Sequence, residues 1–167
     1  LAAEHYMRSF AEVYGMQTVI LRYFNVFGPR QRADSPYSGV VAKFCQWTLD
    51  EETCLIEGDG EQSRDFTYVG DVARGNLLAM QADIPGCTLL NLAGGTRYSL
   101  NDFIATLERI TGAPVKRRHV APRTGDVKHS QAAVECARSA LGFTTEVSFE
   151  EGLRRTLDWY RAVSRTT

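Results

Sequence analysis

TVILRYF, residues 18–24, is a short continuous apolar run rich in β-branched and aromatic side chains. That pattern predicts a strand covered on both faces, as strands of a parallel sheet are. The run ends at Asn25, and Gly28-Pro29 then marks a turn. Downstream, TLLNL, residues 88–92, repeats the pattern and breaks at Gly94-Gly95.

The sequence on either side fits the same plan. SPYSGVVAKFCQWTLD, residues 35–50, predicts a helix through Val40, Val41, Phe44 and Trp47, and CLIEGDGEQSRDFTYV, residues 54–69, predicts strand, Gly-rich turn and strand. Asp71 is placed to cap a helix through Val72, Ala73, Leu77, Leu78 and Met80 to about Ala82, which hands the chain to the second buried strand. Residues 1–15, LAAEHYMRSFAEVYG, are good helix formers closed by Gly15. No capping residue precedes Leu1, so the expectation is a sequence that starts mid-element, as a piece of something longer.

Towards the C-terminus, Ser99-Leu-Asn-Asp102 predicts a capping box ahead of Leu100, Phe103, Ile104, Leu107 and Ile110, with Gly112 and Pro114 as the stop. Residues 115–120 are a short basic strand candidate. Residues 130–141 suit a helix closed by Gly142, and Ser148-Phe-Glu-Glu151 predicts a second capping box before Leu153, Leu157 and Tyr160. Apolar strands alternating with helices predict an α/β layer fold with parallel pairing. In such sheets ligands collect outside the carboxyl ends of the strands, which directs attention to the loops after Phe24 and Leu92.

The bulk properties narrow the function. The 167 residues are 44% hydrophobic and 23% charged, with a net charge of −1, so there is no global attraction for nucleic acid or an anionic membrane. No apolar run approaches the length of a spanning helix. Cys45, Cys54, Cys87 and Cys136 are widely and irregularly spaced, which suggests neither a zinc site nor a disulfide-stapled fold and reads as reduced cytoplasmic thiols. Sixteen arginines against three lysines are a skew with two readings, genomic composition alone or forked recognition of phosphate.

Three stretches carry candidate chemistry. RYFNVFGPRQ, residues 22–31, sets Asn25 at a strand end; GDGEQSRDF, residues 58–66, sets Arg64 and Asp65 before an aromatic strand; and PRTGD, residues 122–126, sets Arg123 and Asp126 around a Gly turn. Each alone has a bland alternative, as a turn Asn, a surface ion pair or an ordinary loop. Together they are chemically complementary, because two guanidiniums clamp a diphosphate and a carboxylate accepts from two vicinal ribose hydroxyls. KRRH, residues 116–119, reads as a solvated strand, since no aromatic platform accompanies it. His5, His119 and His129 have no partner visible in sequence. Neither Gly58-Asp-Gly60 nor Gly94-Gly95 makes a G-x-G-x-x-G fingerprint.

At these residues the chain resembles the NAD-dependent epimerase/dehydratase branch of the extended short-chain dehydrogenase/reductases, most closely UDP-hexose 4-epimerases. The match runs through LRYFNVFGPRQ, SPYSGVV, IEGDGEQSRDFTYVGDVARGN, LLNLAGG, PRTGD and the LGF…SFEEGL…W tail. The resemblance implies the C-terminal part of a Rossmann-type parallel sheet, residues 1–35 and 66–97, plus a small substrate-binding domain, residues 36–65 and 98–167. It implies a catalytic Tyr-x-x-x-Lys directly ahead of Leu1, and none of the seven tyrosines here has a lysine four positions on.

Position by position, it implies that Asn25 bonds the phosphate region of a UDP-sugar and that Tyr23 and Phe24 line the nicotinamide end of NAD. Val40 and Val41 would approach the uracil, Arg64 and Arg123 would clamp the diphosphate, and Asp126 would accept from the ribose. The implied chemistry is transient oxidation of the hexose at C4, rotation of the keto sugar, and return of hydride to its other face. The chain alone is expected to be inactive and to bind NAD negligibly, with the parent a homodimer built partly on residues 1–14. Two other readings stay open: a nucleotide-sugar 4,6-dehydratase or decarboxylase of the same family, and a non-catalytic nucleotide-sugar binding module.

Overall fold

A computed structural model of the chain describes residues 1–33 and 39–164. In chain order, α1 (Ala2–Tyr14) leads to β1 (Thr18–Tyr23), β2 (Val26–Phe27), α2 (Val40–Leu49), β3 (Cys54–Glu57), β4 (Ser63–Asp65) and β5 (Thr67–Tyr68). Then come α3 (Val69–Gln81), β6 (Cys87–Leu92), β7 (Arg97–Ser99), α4 (Leu100–Thr111), β8 (Arg117–Val120), α5 (Glu135–Leu141) and α6 (Phe149–Ser164). The two apolar runs are the parallel pair β1–β6, in register from Thr18 opposite Cys87 to Tyr23 opposite Leu92. Further parallel pairs are β2–β5 and β3–β8, and β4–β7 is antiparallel. The fold is therefore the mixed α/β class the alternation predicts.

Two apolar clusters hold these layers. One joins α2, β3, α4 and α6 through Phe44, Ile56, Phe103, Ile104, Leu107, Phe149, Leu153 and Leu157. Its centre is aromatic: Phe149 stacks on Tyr98 at 4.3 Å and on Phe66 at 5.4 Å, and meets Phe27 edge-on at 5.7 Å. The other cluster joins β6, through Leu90 and Leu92, to Ala137, Leu141 and Phe143, with Val19 and Leu21 of β1 packed alongside. Residues 137–143 thus pack on the β1–β6 pair, although they fall within the 98–167 segment.

Several elements differ from expectation. The cover of β1 thins at its carboxyl end: Val19 and Leu21 turn to the second cluster and the opposite face meets α1, but Arg22 and Tyr23 stay exposed. There Arg22 pairs bidentately with Glu4 at 2.6 and 2.8 Å, which holds the Glu4 carboxyl below the usual range. β3 and β4 follow each other across the Gly-rich turn as expected, and each pairs with a distant strand, β8 and β7. α3 starts at Val69, ahead of Asp71, which is not a cap. The Asp71 carboxylate is buried and accepts the backbone N–H of Glu146 and Val147 at 2.9 and 3.2 Å, tying α3 to the approach to α6. α5 begins only at Glu135, because the preceding segment is spent on strand-side contacts such as Ala132 N–H to Asp65. The Ser99–Asp102 capping box is complete. At α6, Ser148 accepts the Glu151 N–H, while the Glu151 side chain turns to Arg155 at 2.8 Å.

Candidate functional site

The candidate site is a cavity of about 450 Å³ lined by Asn25, Gly39, Val40, Lys43, Phe44, Trp47, Leu55, Glu57, Gln62, Arg64, Leu100, Val120, Arg123 and Asp126. Of the eight residues singled out in the sequence, Asn25, Val40, Arg64, Arg123 and Asp126 meet in it. Val41 does not; it is 3% exposed and packs in the core behind α2. Tyr23 and Phe24 lie outside it at the carboxyl end of β1, where Tyr23 is 50% exposed and its hydroxyl donates to Asn76 at 2.9 Å. Residues 35–38 of the SPYSGVV motif lie outside the described residues.

Each wall has a local cause. Asn25 follows β1 with φ of 33°, a left-handed conformation that Asn tolerates better than most residues. Its amide donates to the Asp65 carbonyl at 3.0 Å, and its own carbonyl accepts the Thr67 N–H. That exchange fixes the end of β1 against β4 and β5. Arg123 and Asp126 flank a tight turn closed by Asp126 N–H to the Arg123 carbonyl at 3.3 Å, with Gly125 at φ of 81°. A non-Gly residue is strained there.

Arg64 is fixed by three bonds. Its guanidinium donates to the carbonyls of Ser63 at 2.9 Å and Lys128 at 3.3 Å, and pairs with the Asp126 carboxylate at 2.6 Å. The pair is partly sheltered, with Arg64 19% and Asp126 38% exposed by side chain. The sequence assigned these two residues to different parts of a ligand; in this structure they hold each other.

Behind them, Asp65 is fully buried. Its carboxylate accepts Gly94 N–H and Gly95 N–H at 3.0 Å each, and Ala132 N–H at 3.2 Å. Burial pushes its carboxyl upward, and the three donors oppose that shift. Asp65 therefore locks the Gly94-Gly95 turn after β6 to the strand that presents Arg64.

Two histidines have partners the sequence could not show: His129 Nδ1 lies 2.9 Å from Ser63 Oγ, and His119 Nδ1 lies 2.8 Å from the Gly58 carbonyl. Both pairings join segments more than 60 residues apart. Sequence reading also missed Lys43, Trp47, Leu55 and Glu57. Spacing held a signal, because Lys43 and Trp47 follow Val40 at helical intervals and Leu55 and Glu57 share one face of β3. Among the described residues no group of His, Cys, Asp and Glu is arranged to hold a metal ion, and no helix is long and apolar enough to cross a membrane.

The NAD dependent epimerase/dehydratase family model matches residues 1–93. The chain is 37% identical over 158 residues to a UDP-glucuronate 4-epimerase of Thermodesulfobacterium geofontis, covering 94% of this chain and 47% of that protein. The crystal structure of a UDP-glucose 4-epimerase with UDP-glucose from Thermotoga maritima superposes with a TM-score of 0.91 at 39% identity, covering 98% of this chain and 52% of that one. A UDP-N-acetylglucosamine 4-epimerase from Methanobrevibacter ruminantium, in complex with UDP-N-acetylmuramic acid, also gives 0.91 at 39% identity, covering 97% and 52%. The chain spans about half the length of the relatives it matches.

Proposed function

Because the chain belongs to the NAD dependent epimerase/dehydratase family, we propose that it is the sugar-nucleotide-binding part of a UDP-hexose 4-epimerase, an NAD-dependent isomerase. The observation that carries this reading is the convergence of Asn25, Val40, Arg64, Arg123 and Asp126, drawn from four separate stretches, on one cavity. Its volume is within the roughly 300–1,000 Å³ of small-molecule sites. The cavity residues grip the nucleotide end, so remote binding energy orients the hexose without immobilising it.

NAD, when bound, supplies a reversible hydride acceptor for C4 of the sugar. Tyr23 and Phe24 are the residues of this chain that would lie along its nicotinamide end, and the exposed Tyr23 ring at the mouth of β1 fits that use. The sequence has no G-x-G-x-x-G turn to hold a pyrophosphate. Four free thiols support a reducing, cytoplasmic setting. We assign the parent protein a homodimer, with the exposed apolar face of α1 as its contact.

The test is calorimetry of the chain with UDP, UDP-glucose, UDP-N-acetylglucosamine and UDP-glucuronate. All share the UDP group and are expected to bind, and Arg123→Ala is expected to weaken each by about tenfold or more, the worth of one charge-assisted bond. Binding of none of the four overturns the reading.

A further inference from the structure

Resting on that nucleotide reading, we propose that His129 is a positioning residue for UDP binding, its bond to Ser63 setting the register in which the segment after β8 presents Arg123 and Asp126 to the cavity. Residues 121–134, between β8 and α5, belong to no helix or strand. They are seated on β4 instead. Ser63 N–H donates to the Lys128 carbonyl at 2.8 Å, the Ser63 carbonyl accepts the Ser130 N–H at 3.0 Å, and Ser63 and His129 form an isolated parallel bridge. Within that bridge Ser63 Oγ and His129 Nδ1 lie 2.9 Å apart. Ser63 is a fixed reference, 5% exposed and paired on its other edge with Ser99 of β7. Neither Ser63 nor His129 lines the cavity, so both act through other residues.

Two backbone bonds specify register weakly, since nearly every residue offers an N–H and a carbonyl. The side-chain bond exists in one register only. A slip of one residue would move the segment by about 3.3 Å, turn the His129 ring to the other face and carry Asp126 out of its 2.6 Å pair with Arg64. The other side-chain tie at this point is weaker, because Lys128 and Asp59 are both exposed and 3.7 Å apart. Gln131 and Ala132 bond further from the cavity residues, to the Gly95 carbonyl at 2.6 Å and the Asp65 carboxylate at 3.2 Å. The chemistry of the pair is tolerant: a serine hydroxyl both donates and accepts, so the bond forms with either tautomer of the ring.

The experiment measures UDP affinity by calorimetry, alongside melting temperature, for the wild type, His129→Ala, His129→Asn, Ser63→Ala and the double variant His129→Ala/Ser63→Ala. The His129 side chain is exposed, so its truncation opens no core cavity. His129→Ala and Ser63→Ala are each expected to weaken UDP by about three- to tenfold, the worth of one hydrogen bond. The double variant is expected to be no weaker than the weaker single one, because both remove the same bond. His129→Asn, whose amide stands where Nδ1 does, is expected to stay within about twofold of wild type. Unchanged UDP affinity in His129→Ala, with or without a lower melting temperature, overturns the positioning role and leaves the nucleotide reading standing. Losses that add in the double variant, or a His129→Asn variant as weak as His129→Ala while melting like wild type, overturn it equally. A wild-type chain that binds no UDP overturns the nucleotide reading first, and the positioning role with it.

Discussion

Asp65 governs more of the site than its neighbour Arg64. Its two oxygens take three backbone N–H groups from two distant segments, and an amide in its place would turn an NH₂ toward at least one donor. Asp65→Asn is therefore expected to lose about 1–3 kcal/mol in urea unfolding, and a variant as stable as wild type would refute the lock. Its pH dependence has a definite sign. Burial raises the folded carboxyl above its unfolded value, so the folded chain holds this proton more tightly and its contribution is full only below the unfolded value near pH ~4. As pH rises through the folded value that contribution is lost, and wild-type stability relative to Asp65→Asn should fall across this range. Cysteine reactivity belongs to the same scale. Burial pushes the Cys45 and Cys54 thiols upward, whereas Cys136 is exposed on α5. Iodoacetamide at pH 8 should label Cys136 in the native chain and reach Cys45 and Cys54 only on unfolding, as mass mapping would record.

Helix α6 illustrates how elements constrain one another. Gly152 in its first turns lies where an added Cβ would sit 2.9 Å from the rings of both Phe27 and Tyr68. Gly152→Ala gains roughly 1 kcal/mol of helix propensity, but forcing apart a packed aromatic cluster costs about 1–3 kcal/mol. The expected result is a lower melting temperature, and a rise would show that the rings yield freely. Caps were readable here because they are local: Ser99 and Asp102 satisfy each other three residues apart. Asp71 was misread as a cap for the complementary reason. Its donors lie about 75 residues downstream, where no spacing rule reaches.

For the whole molecule, the apolar stripe of Tyr6, Phe10, Val13 and Tyr14 on α1 is exposed, at helical spacing. With the homodimer assignment, Val13→Lys is expected to shift sedimentation toward monomer, and an unchanged mass distribution would count against it. NAD affinity of the chain is expected to be negligible, and a micromolar value by calorimetry would contradict that.

The α/β class, the strands at 18–24 and 88–92, the helix stops at Gly112 and Gly142, and the turn joining Arg123 to Asp126 were all readable along the chain. Each rests on periodicity, caps or turn chemistry confined to a few neighbouring residues. Which charges compensate which was not readable. Arg64 and Asp126 are 62 positions apart, and only the packing of β4, β7 and β8 around the aromatic core brings them within hydrogen-bond reach. That pairing belongs to the tertiary structure, because Coulomb attraction at 2.6 Å acts between positions that no spacing rule along the chain connects.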